Sequence, residues 1–139
     1  MDRRAFLLKS LGWAAAVAWG NPLAEAIAMG QLPPQVRLAI TIDDTGNSRR
    51  RAAAFLAIKA QLTYAVLPHL PYSVDLAAAI HAQGHEILLH QPMEPYDRQL
   101  DPGPGALFVG DPPARIRQVV RANVQAVPPA AALHNHMGS

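Results

Sequence analysis

The sequence predicts an α/β fold with parallel strands, and three observations carry that expectation. Short β-branched apolar runs alternate with helix-length segments, Gly, Pro or Ser marks the boundaries, and metal-compatible side chains recur where the strand-like runs end. The 139 residues amount to one domain, and an apolar content of 50% is enough for an ordinary core.

Residues 1–28 concern address rather than fold. A charged start containing Arg3, Arg4 and Lys9 leads into an Ala-rich apolar stretch and then into small residues around Ala24, Ala26 and Ala28. That order is the pattern of an export signal, and the apolar part falls short of the roughly 20 residues that span a bilayer, so no permanent span is expected after cleavage. Arg3-Arg4-Ala5-Phe6-Leu7 resembles the twin-arginine export motif, with Lys9 one position late and Asp2 in place of the usual hydroxyl residue. The expected location is therefore the periplasm or the extracellular space. Residues 29–35, with Pro33 and Pro34, suit a linker, and the fold is expected to occupy 36–139.

Each element then has a local reason. Val36 to Ile42 reads as a strand covered on both faces, and it runs into Asp43-Asp44-Thr45-Gly46. Ser48 is suited to cap a helix from Arg49 to about Lys59, whose arginines read as a solvated helix start. Leu62 to Leu67 is a second strand ended by Pro68. Tyr72 or Ser73 opens a helix over Val74 to about Gln83, stopped by Gly84. Glu86 to His90 is a third short strand, and the Pro- and Gly-rich stretch 91–113 predicts a long ordered loop. Pro112 and Pro113 start a third helix to about Val127, before a short strand from Ala130 to Leu133 that delivers His134-Asn135-His136.

Charge and composition exclude several classes of function. Twelve basic against ten acidic residues leave a formal charge of +2, with no basic stripe for a phosphate backbone, so no nucleic-acid partner is expected. The chain has no cysteine, which removes disulfides, thiolate metal sites and thiol nucleophiles. Without residues 1–28, nine basic and eight acidic residues remain, a balance that suits a neutral or weakly charged substrate.

The chemistry gathers at three strand ends. Adjacent carboxylates repel one another, so Asp43 and Asp44 at the end of an apolar strand call for a cation or a shared proton. One solution gives one aspartate to a metal and leaves the other as a base. Along the third strand His90 shares a face with Leu88 and Glu86, whereas His85 faces the other way and His81 reads as a solvated helix residue. Tyr64, Tyr72, Tyr96 and Phe108 could stack on a sugar face, but aromatic residues near loops more often simply pack.

Four segments carry a family resemblance. Ile42-Asp43-Asp44-Thr45-Gly46, His90-Gln91-Pro92-Met93-Glu94-Pro95, the loop Asp101 to Leu107 and Asn135-His136-Met137-Gly138-Ser139 follow in the order found in divergent polysaccharide deacetylases. The resemblance implies a distorted (β/α) barrel, here truncated after about four strands, because this length cannot close a barrel of seven or eight. It implies a metal-dependent hydrolase that removes N- or O-linked acetyl groups from a polysaccharide, with Asp43 as catalytic base and Asp44 and His90 on a divalent ion, usually zinc. The ordinary family places a second histidine four residues after the first, and Glu94 stands there in this chain. The third ligand is then Glu94 or His136. The commoner nitrogen-rich set favours His136, leaving Glu94 to orient a ligand or touch substrate. His134 is the local candidate for the acid, and His134 and Asn135 are candidate substrate or oxyanion contacts. A competing reading keeps the fold without turnover, as a cell-envelope protein that binds a glycan or another protein.

Overall fold

The computed structural model describes residues 37–138. The expected export signal (1–28) and linker (29–35) lie outside the described residues. Seven elements follow in order: β1 (Thr41–Thr45), α1 (Arg49–Leu56), β2 (Thr63–Val66), α2 (Ser73–Ala82), β3 (Glu86–Met93), α3 (Pro113–Ala126) and β4 (Ala132–Met137). The four strands form one parallel sheet in the order β1-β2-β3-β4. Spatial order thus repeats chain order with no reversal. A doubly wound sheet reverses at a switch point, whereas an arc of a (β/α) barrel does not, so this connectivity is of the barrel kind.

Alternation along the strands sorts side chains into two layers. Tyr64 and Val66 of β2 and Ile87 and Leu89 of β3 pack with Ala52, Leu76, Ala77, Ile80 and Val127 beneath the helices. Thr63, Ala65, Leu88, His90 and Pro92 take the opposite, inner face by the two-residue period. Tyr64 is fully buried in the helix-side core, which removes it from any sugar-facing role.

Local chemistry explains the connections. The Ser48 hydroxyl caps α1 by accepting from the Arg51 amide at 3.3 Å. Tyr72 is the N-cap of α2 without a side-chain bond, because Ser73 is used elsewhere. The Ser73 hydroxyl donates to the Leu67 carbonyl at 2.5 Å and accepts from the Leu70 amide at 3.1 Å, which fastens the β2–α2 turn. A Cβ on Gly46 would meet that hydroxyl at 2.8 Å, at a φ of 136° that favours glycine, so the β1 turn and the β2 turn are fitted to each other.

Four elements differ in their bounds from the sequence expectation. β1 runs from Thr41, where its pairing with β2 begins at Thr41↔Thr63, and the described residues before it, including Leu38 and Ile40, are exposed and outside the strand; the expected start at Val36 lies outside the described residues. α1 ends at Leu56 rather than near Lys59, with Ala57 as its C-cap and an Ile58-to-Phe55 turn after it. β3 continues from His90 to Met93 because β4 pairs with it from Leu88↔Ala132 to Met93↔Met137, while Leu107 bridges Met93 from the loop. The same pairing sets His134, Asn135 and His136 inside β4 rather than after it.

Candidate metal centre

Adjacent residues on a regular strand face opposite ways, so two successive aspartates should not reach one site. β1 escapes this by carrying one extra residue. Its register to β2 advances from Ile42↔Tyr64 to Thr45↔Val66, three steps against two, and Asp44 takes up the extra step with a left-handed φ of 57°. Aspartate tolerates that conformation better than most residues. Asp44 would otherwise follow Ile42 towards the apolar helix layer. With the bulge, both carboxylates stand at the inner side of the sheet.

The histidines arrive by register alone. His90 pairs with His134 and Pro92 with His136, so all three imidazoles project from one face. Asp44 Oδ1 lies 3.3 Å from His90 Nε2 and 3.1 Å from His136 Nδ1. Asp43 Oδ1 lies 3.7 Å from His134 Nδ1, which in turn is 3.2 Å from His90 Nδ1. Two overlapping groups result, Asp44-His90-His136 and Asp43-His90-His134, each with its ligand atoms within 4.8 Å of one another.

These separations test the fit to an ion. A tetrahedral zinc with bonds of about 2.0–2.1 Å holds its ligand atoms about 3.3 Å apart. The Asp44 group matches this on both measured edges. In the other group the His90 atom facing His134 is Nδ1, which also lies 3.4 Å from the His134 main-chain carbonyl. A ligating histidine commonly donates its second ring N–H to such a carbonyl, which fixes the tautomer and frees Nε2 for an ion. Asp44, His90 and His136 are therefore the set best arranged to hold a divalent cation, with Asp43 and His134 beside it.

Burial sharpens this asymmetry. His90 is only 2% exposed, and burial holds its pKa below the ordinary histidine value. The negative field of Asp43 opposes that shift, His136 adds to it, and Asp44 and the His134 carbonyl oppose it. A neutral imidazole is the form that ligates, so burial favours the metal-ready state.

The remaining candidates are dispersed. Glu94 belongs to neither group. Its Oε2 accepts from the Val109 amide at 2.6 Å and its Oε1 is 3.6 Å from Arg98 Nε, so it closes the loop on itself. Asn135 lies between two inward histidines, hence on the other face of β4, and its Nδ2 donates to the Met137 carbonyl at 3.0 Å.

Sequence reasoning missed a buried polar knot behind the site. Asn123 Nδ2 donates to Gln91 Oε1 and to the Gly105 carbonyl, both at 2.8 Å, while its Oδ1 is 2.9 Å from His69 Nε2. Gln91 Nε2 donates to the carbonyls of Pro92 and Gly105 at 2.8 and 3.0 Å. Gln91 and Asn123 are fully buried, and a Cβ on Gly105 would collide with the Asn123 amide. The signal was legible: Asn123 interrupts the apolar spacing Ile116, Val120, Val127, where a polar residue needs a buried partner.

Two cavities adjoin the centre. A cleft of about 430 Å³ runs from Asp43, Asp44 and His136 to Asn47, Ser48, Arg51 and Phe55 at the start of α1. A smaller one of about 110 Å³ shares Asn47, Leu67 and His136 and is walled by Pro68, Leu70, Pro92, Pro102 and Pro104. No helix among the described residues is long and apolar enough to cross a membrane.

A family model for divergent polysaccharide deacetylases matches residues 40–139. The uncharacterized protein YibQ of Escherichia coli K12 is 35% identical over 122 residues, covering 86% of this chain. An uncharacterized protein of Haemophilus influenzae is 33% identical over 105 residues, covering 76%. The chain spans 38% and 37% of the length of these two relatives. In fold it is similar to the crystal structure of the uncharacterized protein ATU2773 from Agrobacterium tumefaciens C58, with a TM-score of 0.60 and 23% identity over 72% of this chain and 42% of that one. The matched span contains every strand and both aspartate–histidine groups, and the chain belongs to the divergent polysaccharide deacetylase family.

Proposed function

We propose that this chain carries the metal centre of an exported hydrolase that removes acetyl groups from a polysaccharide. The observation that carries the reading is the Asp44-His90-His136 group, with edges of 3.3 and 3.1 Å, next to a carboxylate that it does not need. Asp44, His90 and His136, a one-oxygen, two-nitrogen set suited to zinc, would hold a divalent ion, which would supply Lewis acidity towards an acyl carbonyl and towards water.

The chain's own residues do the rest. Asp43, 48% exposed in its side chain and outside the ligand set, accepts the proton of the attacking water as general base. His134, 3.7 Å from that carboxylate, is the nearest imidazole able to return a proton to the departing amine or alcohol. The 110 Å³ cavity beside His136, walled mainly by proline and leucine, suits a short acyl group. The larger cleft leaves room for the sugar that bears it. Export to the periplasm or beyond rests on the order of charged, apolar and small residues in 1–28.

Acetate release from N-acetylated chitooligosaccharides and from acetylated xylan tests the reading. Metal-loaded protein should release acetate from at least one of the two, and chelated protein from neither. Full metal occupancy with no acetate from either polymer would leave glycan binding without turnover as the better account.

A further inference from the structure

The charge of the large cleft does not balance once an ion is in place. Asp43 and Asp44 together carry two negative charges, which a divalent cation cancels. Arg51, which lines the same cleft, then remains as an uncompensated positive charge. Arg49, its neighbour in the first turn of α1, is occupied: its Nη2 sits 2.5 Å from Asp75 and its guanidinium lies 4.9 Å from the Tyr72 ring centre. Among the described residues, no carboxylate lies within ion-pair distance of Arg51.

The helix itself does not want that charge there. The first turn of α1 holds three arginines and no acidic residue, and the helix dipole disfavours cations at that end. Arg51 therefore adds to a positive field that already faces the cleft. Four residues on, Phe55 lies on the same helix face, lines the same cleft and is 39% exposed. An apolar ring beside an unpaired guanidinium makes a surface for a sugar face with a carboxylate at its rim.

We propose that Arg51 and Phe55 form a subsite for a carboxylate-bearing sugar, so that the preferred substrate is an acetylated acidic glycan rather than a neutral one. This rests on the metal-centre reading above. It also revises the inference from total charge, since a near-neutral chain says nothing about the local field at one cleft wall.

The test compares a hyaluronan tetrasaccharide, which alternates uronic acid with N-acetylglucosamine, with tetra-N-acetylchitotetraose, which carries acetyl groups without the acid. Binding is measured on zinc-loaded wild-type protein, which keeps both carboxylates, with acetate assayed alongside so that any turnover is seen. The acidic tetrasaccharide should bind on the order of tenfold more tightly, as expected of a charge-assisted bidentate contact, and the advantage should shrink with added salt. Arg51→Gln should abolish the advantage, and Arg51→Lys should keep part of it. Both changes fall on an exposed side chain, so folding is preserved. Equal binding of the two sugars, binding of neither, or an acidic preference that survives Arg51→Gln would overturn the subsite. If acetate release from tetra-N-acetylchitotetraose then proceeds regardless of Arg51, the hydrolase reading stands without it. Loss of bound zinc in the starting protein would sink both.

Discussion

The two halves of the centre are built by opposite means. The histidine half is set by regular pairing, in which the ladder between interior β3 and the edge strand β4 sets three imidazoles on one face and buries His90. The aspartate half sits at the edge, on a bulged strand with one partner, where both carboxylates are about half exposed and Asp44 holds a left-handed backbone. Register gives the histidines fixed positions, whereas the aspartates depend on one irregular step. The consequence is a division of roles: the paired histidines and Asp44 can supply the ligand atoms, and Asp43, outside that set, can exchange protons with solvent and substrate.

Breaking the histidine half should do the most damage. His90→Ala removes the ring common to both aspartate–histidine groups, and metal affinity should fall by more than the roughly 10–100-fold typical of losing an outer-sphere partner. Competition titration with a chromogenic chelator reads this directly. Asp43→Asn attacks the exposed half, and here metal content should persist while acetate release drops by about 10²–10⁴-fold, the usual worth of a general base. Metal loss in Asp43→Asn would merge the two halves and remove the division of roles.

Asn123→Ala sharpens the comparison from behind the site. It leaves the Gln91 amide oxygen and the Gly105 carbonyl each short of a buried donor, and should cost about 2 kcal/mol in urea unfolding. Because Gln91 lies on β3 between His90 and Pro92, metal affinity should weaken too, though less than on loss of a ligand.

The smallest effect concerns pH. His90 stays neutral in the folded protein at pH values where the unfolded chain, titrating near about 6.5, already takes up a proton. The unfolded state then binds more protons, so metal-free protein should lose stability as pH falls from about 7 towards 5. Thermal melts of wild type and His90→Gln across that range check it: the variant should show the shallower slope.

Much of this was legible in the chain. The αβ alternation, the Ser48 cap and the Gly84 stop follow from local chemistry, and a two-residue period alone put His90 on the face opposite His85. What local reasoning could not supply was pairing. Nothing within Glu86 to Met93 says that β4 will extend β3 past a proline, because the partner that stabilises Gln91 to Met93 is some 44 residues away. The Asp44 bulge was hidden for the same reason, since an extra residue in β1 exists only relative to β2. Glu94 shows the converse. Its position four residues after His90 suggested a ligand or a group that orients one, yet the loop folds back and gives it the Val109 amide instead.

The central claim is that Asp44, His90 and His136 hold one ion while Glu94 holds a loop. Zinc content by elemental analysis, on wild type, His136→Ala and Glu94→Gln purified without chelator, tests it most directly. The account predicts near-stoichiometric zinc in wild type and Glu94→Gln, and little in His136→Ala. Zinc retained in His136→Ala but lost in Glu94→Gln would contradict it, and would move the third ligand to β3 and its loop.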